Sequence, residues 1–504
     1  MASPLDTTAS ENAAAVTLSG ALTDTGDGIS LSGNAGSSIA FTGTLAISTA
    51  GGPAFHATGG GTVSATAADS TLTATGARAL HLSGAAIASE GLRFAAVTAS
   101  DASHGIDLAA TGSGPLEVTG DGSDDRNGSG GSISGMSAHG ILLDDTGPVT
   151  LRNMDITGND GGGIRGDDVG GLVVVAGRIL DNSDDPDDAE RRNNVLLHEA
   201  TGVIVFQDSL VQGSEHNQIE IENFEAGSAT IDVVRTELRA NGINSGLQVE
   251  ARGEADFVLD VRDSVFAEHH ATGVHAFARN TASLTASIES STFEDNNIAV
   301  NVAAQHTATL HTSIIGNTAE GHASHTFNAT VHDDAEHDTI ITGNEIDAQD
   351  TAASVGVRLL VENDSVMRAR VEENIVEGQS SGNGVRVLAR EDAGNVHLVL
   401  RDNHVGSTSS SAAYSVEPIH ESYLCAAIDG NTGGSGHPSR DLFVDLFDAT
   451  ASGDFEGLEP GPASQQEFEA HLQSANPDLR IGSFVAQPTN VTGVASGTCE
   501  RPSE

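Results

Sequence analysis

Lysine is absent from this chain. All 22 basic residues are arginines, set against 71 acids, for a formal net charge of −49. A surface of that sign repels phosphate and carboxylate polymers, so nucleic acid, anionic membranes and polyuronates are not expected partners. Tryptophan is also absent, and aromatic residues make up 3% of the 504 positions. A large globular core is therefore excluded, because few side chains are big enough to fill one. No apolar run is long enough to cross a bilayer, so membrane insertion is not expected. "MASPLDTTASENAAA" has neither the basic start nor the apolar stretch of a secretory leader. If the protein is secreted, the expectation is that a leader has been removed or that the chain is a segment of a larger one.

What is abundant is small. The chain has 59 glycines, and its 38% apolar content is mostly Ala, Val, Leu and Ile. That is too much for a disordered polymer and suits thin, stacked layers. A small residue followed by apolar-x-apolar recurs, at Ile29, Phe55, Leu80, Ile106, Ile141, Ile164, Val195, Ile219, Leu247, Val274, Ile298, Phe327, Val357, Val385 and Tyr414, with gaps of 23 to 35 residues. A second marker travels with it, a strand-then-corner element anchored at Val211, Leu238, Phe266, Phe293, Ile315, Ile346, Val376 and Val405. Alternation of period two, punctuated by Gly, Asn, Asp and Ser, signals short strands with one buried face. Three such strands per repeat of roughly 27 residues predict a parallel β-helix of about sixteen rungs, near 75 Å long at the usual strand spacing.

The stretch "SIESSTFEDNNIAVNV", Ser287–Val302, poses the functional question in small. "FEDNN" offers acid and amide ligands, yet in this frame Phe293 is an inward stacker. Glu294, Asp295, Asn296 and Asn297 then form a corner in which Asn adopts the left-handed backbone and bonds to the next rung. The structural reading is the expectation.

The N-terminal third, "GSSIAFTGTLAISTAGGPAFHATGGGTVSATAADSTLTATGARALHLSGAAIASEGLRFAAVTA", with "GIDLAATGSGPLEVTGDGSDDRNGSGGSISG" and "GPVTLRNMDITGNDGGGI", resembles the Gly/Thr-rich β-strand-repeat segments of very large bacterial secreted proteins of the pectin-lyase-like superfamily. The resemblance implies a right-handed, all-β parallel β-helix and an extracellular or cell-surface location, with an adhesin-like role. The C-terminal "LCAAIDGNTGG…GVASGTC" is similar to that family's terminal element with its two cysteines. Cys425 and Cys499 either pair, closing a loop worth about 4 kcal/mol on the chain-entropy model, or stay as buried thiols. After about residue 450 the pattern changes. Ser464 and Glu467 have capping-box spacing, and Phe468 and Leu472 share a helical face. The expectation is a solenoid over residues 1–460 and a cap containing one short helix over 461–504. No comparable cap is visible at the start, so continuation upstream in a longer parent, or stacking on another copy, is a further expectation.

Fold does not give function, so any chemistry has to rest on particular residues. Acid pairs exist at Asp144–Asp145 and Asp167–Asp168, but the histidine and lysine elements of a polygalacturonase-like hydrolase do not accompany them. Arg358, Arg368, Arg370 and Arg386 lie on rung faces, where a lyase would place a base, but the surrounding charge opposes an acidic substrate. No cofactor is expected, and calcium is the candidate weighed against that expectation. Asp181, Asp184, Asp185, Asp187, Asp188 and Glu190 crowd hard oxygen donors into one loop, for which a solvated acidic turn is nonetheless the favoured reading. The loop from Asp121 reads as a turn. Nine of 20 histidines fall between His269 and His337. Residues a rung apart can sit above one another, so His306, His311, His322, His325, His332 and His337 offer a ladder that binds a transition metal or senses pH, set against the favoured reading that histidine fills exposed rung positions in a chain without lysine. The function expected is a non-enzymatic secreted or surface rod whose partner is a cell-surface or matrix glycan or protein, with an acidic surface suited to concentrated salt. A glycan-active β-helix enzyme and a self-assembling fibre subunit are the alternatives.

Overall fold

The computed structural model describes the chain apart from residues 1–4, 9–13, 183–192, 348–354, 379–381, 391–393, 409–410, 438–439, 447–450, 459–460, 463, 486–489, 496–497 and 500–504. It is an all-β parallel β-solenoid of about fifteen turns with one short helix near the C-terminus. The chain divides into two units, Met1–Gln248 and Val249–Glu504.

In the first unit each turn gives one short strand to each of three sheets. Ile106–Gly112, Leu116–Val118 and Ser132–Ser134 make one turn. Ile141–Thr146, Val149–Arg152 and Asp155–Thr157 make the next. All pair in parallel, so like residues stack on like. On the first sheet Ile106, Ile141, Ile164, Val195 and Ile219 form one inward column. Leu116, Val149, Leu172, Ile204 and Ile231 do so on the second. Ile133, Ile156, Ile179, Val211 and Leu238 do so on the third. Each of these side chains is at most 1% exposed, and each gains roughly 1.5–3 kcal/mol on leaving water.

The small residue that opens each repeat has a steric cause. A Cβ on Gly105 would lie 2.6 Å from Ile133, on Gly163 2.7 Å from Ile179, and on Gly384 2.4 Å from Val405. At this corner the chain passes directly over the inward residue of the third sheet. Val405 is β-branched and cannot turn aside. Gly384→Ala is therefore expected to cost about 2 kcal/mol in a denaturant titration. Adding Val405→Ala should recover part of that loss, a coupling that a simple loss of glycine flexibility would not produce.

In the second unit Phe266 and Phe293 stack face to face, with centroids 5.2 Å apart and planes 11° from parallel. Ile315 is not the next anchor. It ends the second-sheet strand Thr309–Ile315, partly exposed and in register with Glu289, and the inward place beside Phe293 belongs to Ala319. An alanine carries no hydrophobic signal of its own, so the nearest isoleucine mimicked the anchor.

The corner between the second and third sheets carries a side-chain ladder. Asp263, Ser290, Gly316, Gly343, Glu373, Asp402 and Gly430 all adopt left-handed φ values of 50–68°. The residue that follows each turns inward. The Ser291 N–H donates to Asn317 Oδ1 at 2.9 Å, and those of Asn317, Asn344, Asn374, Asn403 and Asn431 donate to Asn344, Asn374, Asn403, Asn431 and Asn476 at 2.9–3.2 Å. These amides are 0–1% exposed and satisfy buried groups that no strand reaches.

The last rung of this ladder is a helix cap. Helix α1, Gln465–Ala475, starts at Ser464, whose side chain accepts from the Glu467 N–H at 3.3 Å. It buries Phe468 against Phe455 and ends on Asn476, the ladder member itself. The strands Ile481–Val485 and Val491–Val494 then add to the first and second sheets. The stretch read as a cap thus contains one helix and two strands that extend the sheets.

Candidate functional site

On the first sheet the residue between the two inward ones points outward, as does the residue two further on, and parallel register lines both up into rows. In the first unit one row runs His56, His81, Asp107, Leu142, Arg165, Leu196 and Glu220. Its start is polar: Arg78 Nε lies 3.0 Å from Asp107, and the Nδ1 atoms of His56 and His81 are 2.9 Å apart. Burial holds both imidazoles below their ordinary pKa, reinforced by Arg78 and, for His81, against the pull of Asp107.

The second row is Asp144, Asp167, His198 and Glu222. Arg165 clamps Asp167 with Nε at 3.0 Å and Nη2 at 3.1 Å, and Nη2 also lies 3.2 Å from His198 Nδ1. The other imidazole nitrogen stands 3.9 Å from the carboxylate of Glu222, a residue 7% exposed. The outward leucines Leu142 and Leu196 flank this strip. The acid pairs seen in the sequence come apart here. Asp145 and Asp168 sit at the corner with φ of 51° and 52°, and the real neighbours are Asp144 and Asp167, 23 residues apart but one strand away. Arg165, His198 and Glu222 were not singled out, although the outward positions of "GIRGD", "VLLHE" and "IEIEN" hold them. A carboxylate pinned by arginine, a bridging imidazole and a shielded second carboxylate can bind sugar hydroxyls and exchange a proton.

In the second unit the four arginines noted above separate. Arg358 and Arg386 are row neighbours on the first sheet. Arg368 and Arg370 lie on the second, where Arg368 meets Asp338 at 3.0 Å and Arg370 meets Glu372 at 2.5 Å.

The histidines do not form a ladder. One turn here is 27 residues, so Asp338 stacks on His311 and His337 stacks on Leu310. At a spacing of 26, His337 is slipped by one and faces inward, 0% exposed, with Thr312 Oγ1 at 3.0 Å. The same slip separates His306, in an exposed turn, from His332, which pairs with Glu362 at 2.7 Å. His322 is buried at the corner place that Asn296 fills one turn earlier, and His325 begins the strand His325–Val331. Burial holds His322, His325 and His337 down to a pKa of about 4. Among the described residues no three His, Cys, Asp or Glu side chains gather as metal ligands do.

Of the acidic loop, Asp181 lines an open recess of about 470 Å³ with Asp160, Asn182, Ser214 and Glu215. Asp184, Asp185, Asp187, Asp188 and Glu190 lie outside the described residues. Asp121 accepts from its own loop, from the Ser123 N–H at 3.0 Å and Asn127 Nδ2 at 2.7 Å, and these bonds hold its pKa to about 2. "FEDNN" is a corner, with one change: the left-handed residue is Asp295, at φ 51°. Asn296 turns inward, accepting from the His269 N–H at 3.0 Å and donating to the Phe266 carbonyl at 2.9 Å. Cys425 and Cys499 are joined by a disulfide, with both residues buried. Compared with family models, curated proteins and solved structures, the chain matches none of them.

Proposed function

We propose that this chain is a non-catalytic, ligand-presenting β-solenoid of the cell surface or extracellular matrix, adhesin-like in role, as its Gly/Thr-rich repeats suggest. The observation that carries the reading is where the polar side chains go. Buried asparagines and histidines bond turn to turn, and most of the described arginines bridge carboxylates, so these groups are engaged in building the stack. What remains outward is a set of rows in fixed register, suited to holding ligand groups at a regular spacing. The Cys425–Cys499 bridge supports an oxidising location, and the dense carboxylates suit concentrated salt. Calcium at the recess around Asp160, Asp181 and Glu215 belongs to the same proposal, because these are hard oxygen donors.

A glycan-active enzyme is the second reading, favoured by the Arg165–Asp167–His198–Glu222 strip. One assay separates the two. The purified chain is incubated with neutral and acidic polysaccharides, with and without calcium, and followed for new reducing ends and for unsaturated uronate absorbance, beside a glycan-binding array. Binding without depolymerisation is expected. Reproducible cleavage that Asp167→Asn abolishes would establish the enzyme instead.

A further inference from the structure

In a chain with more than three acids per base, an arginine finds a carboxylate easily. Among the described residues two arginines have none within 4.0 Å. One is Arg440, which lies 3.4 Å over the Phe443 ring. The other is Arg358, half-buried on the outer face of the first sheet, whose one hydrogen bond runs from Nη1 to the neutral Asn328 Oδ1 at 3.0 Å. Asn328 is itself oriented, since its Nδ2 donates to Asn301 Oδ1 at 2.7 Å.

The surroundings concentrate positive charge where the chain as a whole is negative. Arg386 is the register neighbour of Arg358, one strand away. It spends Nε and Nη2 on Glu417, at 3.3 and 3.2 Å, and Glu417 also accepts from Ser415. Glu362, the acid nearest along the strand, is drawn away by His332 and Arg390. Burial and the repulsion of Arg386 and Arg390 lower the pKa of Arg358, against the pull of Glu362. On the preceding turn, His325 Nδ1 is shut off from solvent with no hydrogen-bond partner. Beside the arginines the outward Leu360 and Leu388 are 5% and 8% exposed and form an apolar ledge. A half-buried cation without a counter-charge is destabilising, so a structure that keeps one holds a place for an anion.

We propose that Arg358 and Arg386, with His325 and the Leu360–Leu388 ledge beside them, form a binding site for the carboxylate of a mostly neutral ligand, such as a single uronic acid on a neutral glycan. The planar guanidinium fork matches a carboxylate's two oxygens, and the ledge suits the C–H face of a sugar ring. One carboxylate is the limit, because the net charge of −49 repels a polyanion over the screening length but barely opposes one local charge. The site deepens the ligand-presenting reading, but its binding is measured without reference to any cell surface.

The test is thermal unfolding of the full chain, at fixed sodium concentration, with glucuronate, glucose, sulfate or chloride as the probe. Glucuronate should raise the melting temperature saturably, with glucose inert and sulfate and chloride at least tenfold weaker. Arg358→Gln should weaken glucuronate binding at least tenfold, and Arg386→Gln should do so severalfold. Arg358→Lys keeps the charge without the fork and should also lose most of the affinity, which serves if the glutamine variant does not fold. Arg368→Gln, on the second sheet, should bind as the unaltered chain does. Equal binding by the Arg358 variants, or equal protection by sulfate or chloride, would overturn the proposal. If glucuronate binds as expected while the glycan array stays blank, the site stands and the surface role falls.

Discussion

Asn374→Ala should lower the unfolding free energy by about 3–5 kcal/mol, the largest effect expected of a single substitution here. The residue is 0% exposed and serves both neighbours. Its Oδ1 accepts the Asn344 N–H at 3.1 Å and Asn344 Nδ2 at 2.8 Å. Its own Nδ2 donates to the Ile341 and Glu372 carbonyls and to Asn403 Oδ1, at 2.8–2.9 Å. Alanine leaves the Asn344 N–H and the two carbonyls short of a partner at once, while Asn344 Nδ2 keeps the Ile314 and Thr342 carbonyls, and each unmet buried group costs about 1–3 kcal/mol. Asn374→Asp keeps the acceptor, loses the donor and adds a buried charge, so it should be at least as harmful. Asp364→Ala, at an exposed turn position, should change stability by less than about 0.5 kcal/mol. Hydrogen exchange read turn by turn is the measurement. In a stacked array the loss should concentrate in the turns on either side of Asn374. Uniform loosening of every turn would show that the ladder does not act locally.

Acid should weaken the protein well before its carboxylates titrate. His322 and His337 are fully buried, and burial holds both near a pKa of about 4, against 6.5 in the unfolded chain. Between those values the unfolded chain binds protons that the folded one refuses, so stability falls as pH falls. Above pH 6.5 both states are neutral and the contribution is fully present. Below about 4 the loss levels off. Each histidine contributes at most about 1.4 kcal/mol per pH unit, and only half of that at pH 6.5 itself, so the pair should lose about 3 kcal/mol between pH 6.5 and 5. His275 and His325, also held near 4, act in the same direction. Asp441 titrates in a different window. Arg480 overcomes its burial and holds its carboxyl to about 2, so that stability is present above about 3.8 and lost only below it. Urea titrations at pH 7.5, 6.5, 5.5 and 5.0 should show the slope, and His322→Asn, which puts an asparagine where the preceding turn has one, should reduce it by one proton. Stability that stays flat from pH 7 to 5 would refute the assignment.

The columns of the core were legible because strands alternate with period two and parallel stacking repeats the same residue type at the same place. Phe266 and Phe293, and the recurring corner in "GNT", "GNE", "ENI" and "DNH", can be read directly from the chain, although the left-handed backbone falls on the residue before the asparagine and not on the asparagine itself. Ile315 misled because Ala319 fills the inward place with a side chain too small to signal it. The helix was legible from the Ser464–Glu467 spacing and the Phe468–Leu472 face, but nothing in the sequence showed that Asn476 would end the helix and the asparagine ladder together.

The sequence by itself determined the strands, the turns and the inward columns of large apolar side chains, because those follow from local periodicity and backbone preference. Tertiary structure alone decided which residues meet. Turn length varies from repeat to repeat, and one residue more or less reverses the face a side chain presents. That slip dispersed the histidine ladder, and stacking across turns replaced the paired acids of the sequence with Asp144 beside Asp167. It also decided charge compensation, which depends on distances between residues some 30 positions apart. For that reason Arg358, one arginine among 22 in the sequence, stands out in the fold as a half-buried charge with no carboxylate within 4.0 Å among the described residues.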